Sequence, residues 1–221
     1  MKRKDIIILI TRKLPEKIEK KLKENFNVIL NKTDKKLSYT ELKKKVSEVD
    51  ILIPCVSDTI DASIIKSAKK LKLIANFGNG VDNLDLVTAR EENVIVTNTP
   101  DVLTEDTADL VLTLVLMISR KVVQAQKKIS GGRWSGWGPS ETMGERIRGK
   151  NFGIIGMGRI GKAVAKRLNI LGVKIFYHNR NRLKNNEEKV LKAKYFENLD
   201  LMISNCDIIS IHCPYTPETF H

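Results

Sequence analysis

Short apolar runs alternate with longer amphipathic stretches through the first part of the chain. The runs are continuously apolar, which is typical of strands that are buried on both faces of a parallel sheet. We expect strands at 6–10, 28–30, 51–53, 73–75 and 94–96. Helix starts are indicated between them by the capping-box spacing of Ser38 and Glu41 and by Asp61. This order predicts a parallel sheet with helices on both sides.

The pattern changes after Pro100. An almost uniformly apolar stretch predicts one long, deeply buried helix from Thr104 to about Gln126. A loop rich in glycine and tryptophan follows at 130–139. A second series of strands is expected at 152–155, 173–177, 194–196 and 207–212. We therefore predict two α/β domains, at 1–99 and 100–221.

Composition narrows the class of protein. The 221 residues contain no run of the ~20 apolar residues that cross a bilayer, and the start lacks a signal-peptide pattern. We therefore expect no membrane contact. The cysteines Cys55, Cys206 and Cys213 have no metal-ligand spacing, so we expect a reduced, cytoplasmic protein with no metal site. The net charge of +13 comes from lysines mixed with acids along amphipathic helices, without interleaved aromatics. We therefore expect no nucleic-acid partner.

The glycines Gly156, Gly158 and Gly161 have the G-x-G-x-x-G spacing, between an apolar run and a helix-like segment. In this motif the first glycine permits a tight turn, the second lets phosphate approach, and the third lets helix and strand pack closely. The spacing predicts a dinucleotide pyrophosphate at a helix N-terminus. A purely structural glycine turn is the alternative. The motif indicates a doubly wound Rossmann domain, of which the chain contains about the first half.

The end of the next strand bears on the choice of cofactor. Domains of this type that bind NAD carry an acidic residue there for the ribose hydroxyls. The segment 178–182 has no carboxylate, whereas Arg180 and Arg182 can pair with a 2′-phosphate. We therefore favour NADP(H), with NAD(H) as the alternative. Ordinary surface arginines would give the same sequence.

Several segments together resemble one family, the D-isomer-specific 2-hydroxyacid dehydrogenases, in their glyoxylate/hydroxypyruvate reductase branch. The resemblance rests on 76–85, 96–110, 132–137, the glycine motif and 212–219. It implies a flavodoxin-like substrate domain, a Rossmann domain and an active site in the cleft between them. It also implies hydride transfer between NAD(P)H and a small 2-oxo acid, in a homodimer when the protein is full-length.

The resemblance also implies roles for individual residues. Backbone amides of Asn79, Gly80 and Val81 would hold the substrate carboxylate as an anion-binding nest, and Leu103 would line the pocket. Trp137 would either reach the pocket of a neighbouring subunit or anchor a dimer loop. For the cofactor, the resemblance implies that Thr107 lies near the nicotinamide and that the pyrophosphate is held at Gly156, Gly158, Arg159, Ile160 and Gly161. It places the adenosine ribose near Asn179, Arg180, Asn181 and Arg182. It places the adenosine near His212, Cys213 and Pro214.

The catalytic arginine, glutamate and histidine of the family belong to segments that would follow His221. We therefore assign no catalytic residue, since His178 and His212 fall on the adenosine side. We expect a C-terminally truncated chain that is prone to aggregation, because a sheet edge and an apolar helix would lack partners. The alternatives are D-lactate, phosphoglycerate or formate dehydrogenation, a non-catalytic dinucleotide-binding scaffold, or an inactive fragment.

Overall fold

The computed structural model describes residues 3–220. Met1 and Lys2, within the start examined for a signal peptide, and the terminal His221 lie outside the described residues. The chain divides into two compact units, Met1–Val102 and Leu103–His221. The boundary expected at 99/100 falls just before this division.

Parallel strands form a five-stranded sheet in the first unit, in the order β2-β1-β3-β4-β5. A short 3-10 helix at Arg3–Asp5 precedes them. The elements are β1 (Ile7–Ile10), α1 (Glu16–Asn25), β2 (Asn27–Leu30), α2 (Tyr39–Val46), β3 (Ile51–Ile53), α3 (Ala62–Ser67), β4 (Leu73–Ala75), α4 (Leu86–Glu91) and β5 (Ile95–Thr97). The five predicted strands are confirmed, as are the Ser38–Glu41 capping box and the Asp61 cap.

Both faces of this sheet are covered. Leu9 of β1 belongs to a core that includes buried residues of α2, α3 and α4. Its neighbours Ile8 and Ile10 belong to a second core, against which Leu22 of α1 packs. Successive strand residues point to opposite faces, so helices must lie on both sides of the sheet. The continuous apolar runs of the sequence follow from this arrangement.

Parallel strands also form the sheet of the second unit, in the order β8-β7-β6-β9. A 3-10 helix at Pro217–Thr219 follows them. The elements are α5 (Thr104–Ser119), α6 (Val122–Ser130), β6 (Asn151–Ile155), α7 (Arg159–Ile170), β7 (Lys174–His178), α8 (Asn185–Leu191), β8 (Ala193–Tyr195), α9 (Leu199–Ser204) and β9 (Ile208–Ile211). The four strands predicted here are confirmed, and with them the α/β class with two parallel sheets.

The prediction of one long helix from Thr104 to Gln126 is wrong. The helix ends at Ser119, whose carbonyl oxygen accepts a hydrogen bond from the Glu145 amide at 2.7 Å. Lys121 then adopts a left-handed conformation, with φ of 52°, before α6 begins.

The predicted deep burial of this helix is also wrong. Only one face of α5 packs into the unit, where Ala108 and Val115 are buried. Leu110, Leu114 and Ile118 are 57%, 48% and 76% exposed. In residues 3–220, no helix is long and apolar enough to cross a membrane.

Candidate functional site

The glycine motif forms the turn between β6 and α7. Gly156 has a φ of 95°, in the left-handed region that favours glycine. Its amide donates to the His178 carbonyl oxygen at 3.0 Å. A Cβ atom at this position would lie 2.5 Å from the amide nitrogen of Cys213. Only glycine therefore fits between the ends of β7 and β9.

The other two glycines of the motif differ in their surroundings, and only Gly158 has open space beside it. Gly158 is the N-cap residue of α7, and a Cβ atom there would meet nothing within 4 Å. A Cβ atom on Gly161 would lie 2.7 Å from the Gly156 carbonyl oxygen. Gly158, as the N-cap residue, offers no side-chain cap to the first turn of α7. This turn can therefore donate hydrogen bonds to an anion such as a pyrophosphate.

The residues after β9 pass beside the glycine turn. The His212 amide donates to the Ile155 carbonyl oxygen at 2.7 Å, and Cys213 follows against Gly156. His212 is half-buried, its Nε2 is 2.9 Å from the Ser210 hydroxyl, and burial lowers its pKa. Pro214 is exposed. The fold thus brings the predicted His212, Cys213 and Pro214 to the glycine motif.

The residues after β7 border the same turn. The Oδ1 atom of Asn179 accepts a hydrogen bond from the Met157 amide at 2.7 Å, so this side chain is fixed to the glycine turn. Arg180 and Asn181 are exposed. A hydrogen bond from Thr216 and, more weakly, the charge of Arg180 lower the pKa of Glu218. The loops that follow β7 and β9 therefore lie close together.

A carboxylate that sequence reasoning missed lies at this loop. Glu188 of α8 accepts hydrogen bonds from Arg182 at 2.9 and 2.8 Å and from the Tyr177 hydroxyl at 2.6 Å. Arg182 and Tyr177 lower the pKa of Glu188 to about 2. Burial and the hydrogen bond to Glu188 raise the pKa of Tyr177 to about 12. Arg182, predicted to meet a 2′-phosphate, is therefore already paired.

Leu103 and Thr107 lie one turn apart at the start of α5. Leu103 is the N-cap residue and is 45% exposed. Its carbonyl oxygen accepts a hydrogen bond from the Thr107 amide at 2.9 Å, and Thr107 is half-buried. Both predicted contact residues therefore have accessible surface at one helix end.

In the first unit, the predicted carboxylate loop follows β4. Three of its carbonyl oxygens are hydrogen-bonded within the unit: Gly78 accepts from the Thr99 amide at 2.9 Å, Asn79 from the Asn98 side chain at 2.7 Å, and Gly80 from the Asn76 side chain at 2.9 Å. Asn76 directly follows β4, and Asn98 directly follows β5. Polar residues at strand ends are the signal that could have identified them from sequence.

Three backbone amides of this loop, unlike its carbonyl groups, have no hydrogen bond among the described residues. Among residues 3–220, nothing accepts a hydrogen bond from the amides of Asn79, Gly80 and Val81. None of these residues has a positive φ, so the alternating left-handed conformation of an anion nest is absent from the loop. A Cβ atom on Gly78 would collide with Cγ1 of the exposed Val56. Three adjacent donors are left for an anion.

A cavity of about 190 Å³ lies at the carboxyl ends of β1 and β3. This is the switch point of the first sheet, where α/β sheets commonly bind ligands. Arg12 lines it, but its guanidinium is hydrogen-bonded to Asp34 at 3.1 Å and to Ser57 at 3.2 Å. The cavity therefore does not present Arg12 as an uncommitted cation for a 2-oxo acid.

Neither described histidine, His178 nor His212, is hydrogen-bonded to a carboxylate. His178 Nδ1 is 3.0 Å from the Phe196 carbonyl oxygen, and His212 pairs with Ser210. Across residues 3–220, no group of three or more His, Cys, Asp and Glu side chains is arranged to hold a metal ion.

Comparisons with known proteins agree with this geometry. The family model of the D-isomer specific 2-hydroxyacid dehydrogenase NAD binding domain matches residues 112–221. Glyoxylate reductases of Thermococcus litoralis and Korarchaeum cryptofilum are 39% and 36% identical and are aligned with 97% of this chain. The chain spans 65% and 64% of their lengths.

A solved structure agrees over the same region. The TT0316 protein of Thermus thermophilus is 40% identical, with a TM-score of 0.88 over 97% of this chain and 67% of that protein. Sequence identity and fold thus agree across both units. This chain belongs to the D-isomer-specific 2-hydroxyacid dehydrogenase family.

Proposed function

We propose that the chain carries the cofactor-binding and carboxylate-binding parts of a reductase that transfers hydride from NAD(P)H to a small 2-oxo acid. One observation carries this proposal: the turn from Gly156 to Gly161 excludes side chains where the strands meet and leaves the start of α7 open. A side-chain-free cradle at an uncapped helix start suits a pyrophosphate. The match to an NAD binding domain supports a nicotinamide dinucleotide.

The residues around this cradle would divide the cofactor between them. Gly158, Arg159, Ile160 and Gly161 would hold the pyrophosphate, Asn179 to Arg182 the ribose, and His212 to Pro214 the adenosine; Thr107 would lie near the nicotinamide. When bound, the cofactor supplies the hydride. We favour NADP(H), because Arg180 is exposed and the loop after β7 itself contains no carboxylate.

The substrate is proposed to be glyoxylate or hydroxypyruvate. Its carboxylate would accept hydrogen bonds from the amides of Asn79, Gly80 and Val81, whose loop is held in place by Asn76 and Asn98. Leu103 would contribute an apolar wall. The similarity to the two glyoxylate reductases supports this choice over D-lactate, phosphoglycerate or formate.

A second copy of the chain is the proposed partner. Leu110, Leu114 and Ile118 form an exposed apolar stripe on α5, and Trp137 is 94% exposed. Trp137 packs edge-to-face on Trp134, with ring centroids 6.0 Å apart. Exposed apolar stripes and tryptophans are typical of interfaces between subunits. We expect these surfaces to be covered in a homodimer.

A non-catalytic dinucleotide-binding protein is the second candidate. It is favoured by the engagement of His178 and His212 with a carbonyl group and a hydroxyl group rather than carboxylates. Titrating the purified chain with NADPH and NADH, and then titrating glyoxylate into the NADPH-bound chain, separates the two candidates. Binding of both cofactor and glyoxylate supports the reductase, cofactor binding alone supports the second candidate, and absence of cofactor binding overturns both.

A further inference from the structure

Glu188 joins Tyr177, in β7, to Arg182, in the loop that follows β7. Its Oε1 atom accepts hydrogen bonds from the Tyr177 hydroxyl at 2.6 Å and from Nε of Arg182 at 2.9 Å, and its Oε2 atom accepts from Nη2 of Arg182 at 2.8 Å. The Glu188 side chain is only 12% exposed. A planar guanidinium held at two points by one carboxylate has a defined orientation.

The same contacts hold the ends of the loop. The Tyr177 hydroxyl accepts a hydrogen bond from the Leu183 amide at 3.0 Å, and Tyr177 is completely buried. Glu188 therefore acts on residues that precede and follow 178–182. Tyr195 makes two further contacts with the loop. Its ring centroid lies 5.4 Å from the Arg182 guanidinium, and its hydroxyl donates to the Asn179 carbonyl oxygen at 3.3 Å.

The pairing with Glu188 reduces the positive charge that Arg182 presents to a ligand. Arg182 remains 58% exposed although it is paired, so a bound ribose phosphate could still approach it. The ionised Glu188 carboxylate offsets its positive charge at short range. Arg180, in the same loop, is exposed. The attraction for a 2′-phosphate thus depends on one acid as well as on two arginines.

We propose that Glu188 is a positioning residue that acts through Arg182 and limits how strongly the ribose site prefers a 2′-phosphate. This inference rests on the proposed dinucleotide function. It predicts that the ribose site prefers a 2′-phosphate less strongly than Arg180 and Arg182 would cause in the absence of Glu188. The preference is measurable as the ratio of affinities for adenosine 2′,5′-bisphosphate and 5′-AMP.

The test is calorimetric titration of the 221-residue chain with these two nucleotides. Glu188→Gln keeps the side-chain size and removes the charge, so we expect the ratio to rise about three- to tenfold at low salt. The increase should shrink as ionic strength rises. A merely structural role would weaken both nucleotides alike and leave the ratio unchanged, which would overturn the inference.

Two further variants keep the test decisive. Glu187→Gln removes the neighbouring charge, which pairs with Lys162 at 2.6 Å, and should change the ratio less than Glu188→Gln does. Arg182→Gln should lower the ratio, and adding Glu188→Gln should return it to within about twofold of the wild-type value, because net charge is restored. This comparison remains informative if Glu188→Gln alone fails to fold.

The outcomes also separate this inference from the proposed function. A wild-type chain that binds neither nucleotide overturns both. If the wild-type chain binds both nucleotides, only the role of Glu188 is tested by the variants. That role is overturned if the affinity ratio neither rises in Glu188→Gln nor recovers in the double variant.

Discussion

Gly161 packs directly on the main chain of Gly156. A Cβ atom on Gly161 would lie 2.7 Å from the Gly156 carbonyl oxygen and 3.1 Å from Cγ2 of Ile154. Gly158, between them in sequence, has no neighbour within 4 Å of the equivalent position. The motif therefore combines one glycine that is closely packed with another that faces open space.

This contrast predicts different effects for two alanine substitutions. Gly161→Ala should lower the free energy of unfolding by about 1–3 kcal/mol, because backbone cannot move aside as a flexible side chain can. Gly158→Ala should change the melting temperature little but weaken NADPH binding about tenfold or more, because the methyl group would occupy the phosphate approach. Thermal unfolding and NADPH titration of both variants check this. Equal losses of stability in the two would contradict it.

The carboxylate loop offers a second comparison. Asn76 is 2% exposed and holds Gly80 and Asn83, so Asn76→Ala should lower the free energy of unfolding by about 1–3 kcal/mol, because it removes the hydrogen bonds that a buried side chain makes to both residues. Asn98 is exposed and holds only the Asn79 carbonyl among these groups. Asn98→Ala should therefore change stability by less than about 1 kcal/mol. Urea denaturation measures both, and equal destabilisation would show that burial does not separate them.

Tyr177 predicts an alkaline limit to stability. Its pKa is raised from 10.0 to about 12, first by burial and then by Glu188, so the folded state favours the neutral phenol. The contribution is fully present below pH 10 and is lost as the pH rises through 12. Tyr177→Phe should be less stable than wild type by about 1–3 kcal/mol at pH 8, because the Leu183 amide loses its acceptor.

The gap between wild type and Tyr177→Phe should narrow towards pH 12, since phenylalanine does not ionise. Denaturant titrations across this range measure it. Tyr215→Phe, at a side chain that is 71% exposed, is the control and should track wild type. A gap that stays constant above pH 10 would show that Tyr177 ionises equally easily in both states.

The apolar stripe of α5 predicts a change of oligomeric state. Ile118→Glu should convert the proposed homodimer to a monomer without lowering the melting temperature of the monomer, because Ile118 is 76% exposed. Ile170→Glu is the matched control, since Ile170 is 83% exposed on α7. Light scattering after size exclusion gives the mass of each variant. Dimers of unchanged stability in both variants would place the interface elsewhere.

Much of the fold was predictable from local patterns. Strands buried in a parallel sheet favour apolar runs, so the nine strands described here could be located in the sequence, although β8 is centred on the exposed Lys194. The glycine spacing likewise located the turn, because Gly156 needs a positive φ and Gly161 needs close packing. These requirements act over a few residues and leave a signature in the sequence itself.

Other features depend on contacts through space. The spacing of Arg182 and Glu188 in the sequence did not indicate that the Glu188 side chain would bind Arg182. No local pattern indicated that α5 would end at Ser119. Only tertiary packing decides which faces of a helix are covered and which charges meet. The sequence by itself determined the strands, the glycine turn and the family resemblance. The tertiary structure decided the pairing of Arg182, the exposure of α5 and the availability of the loop amides.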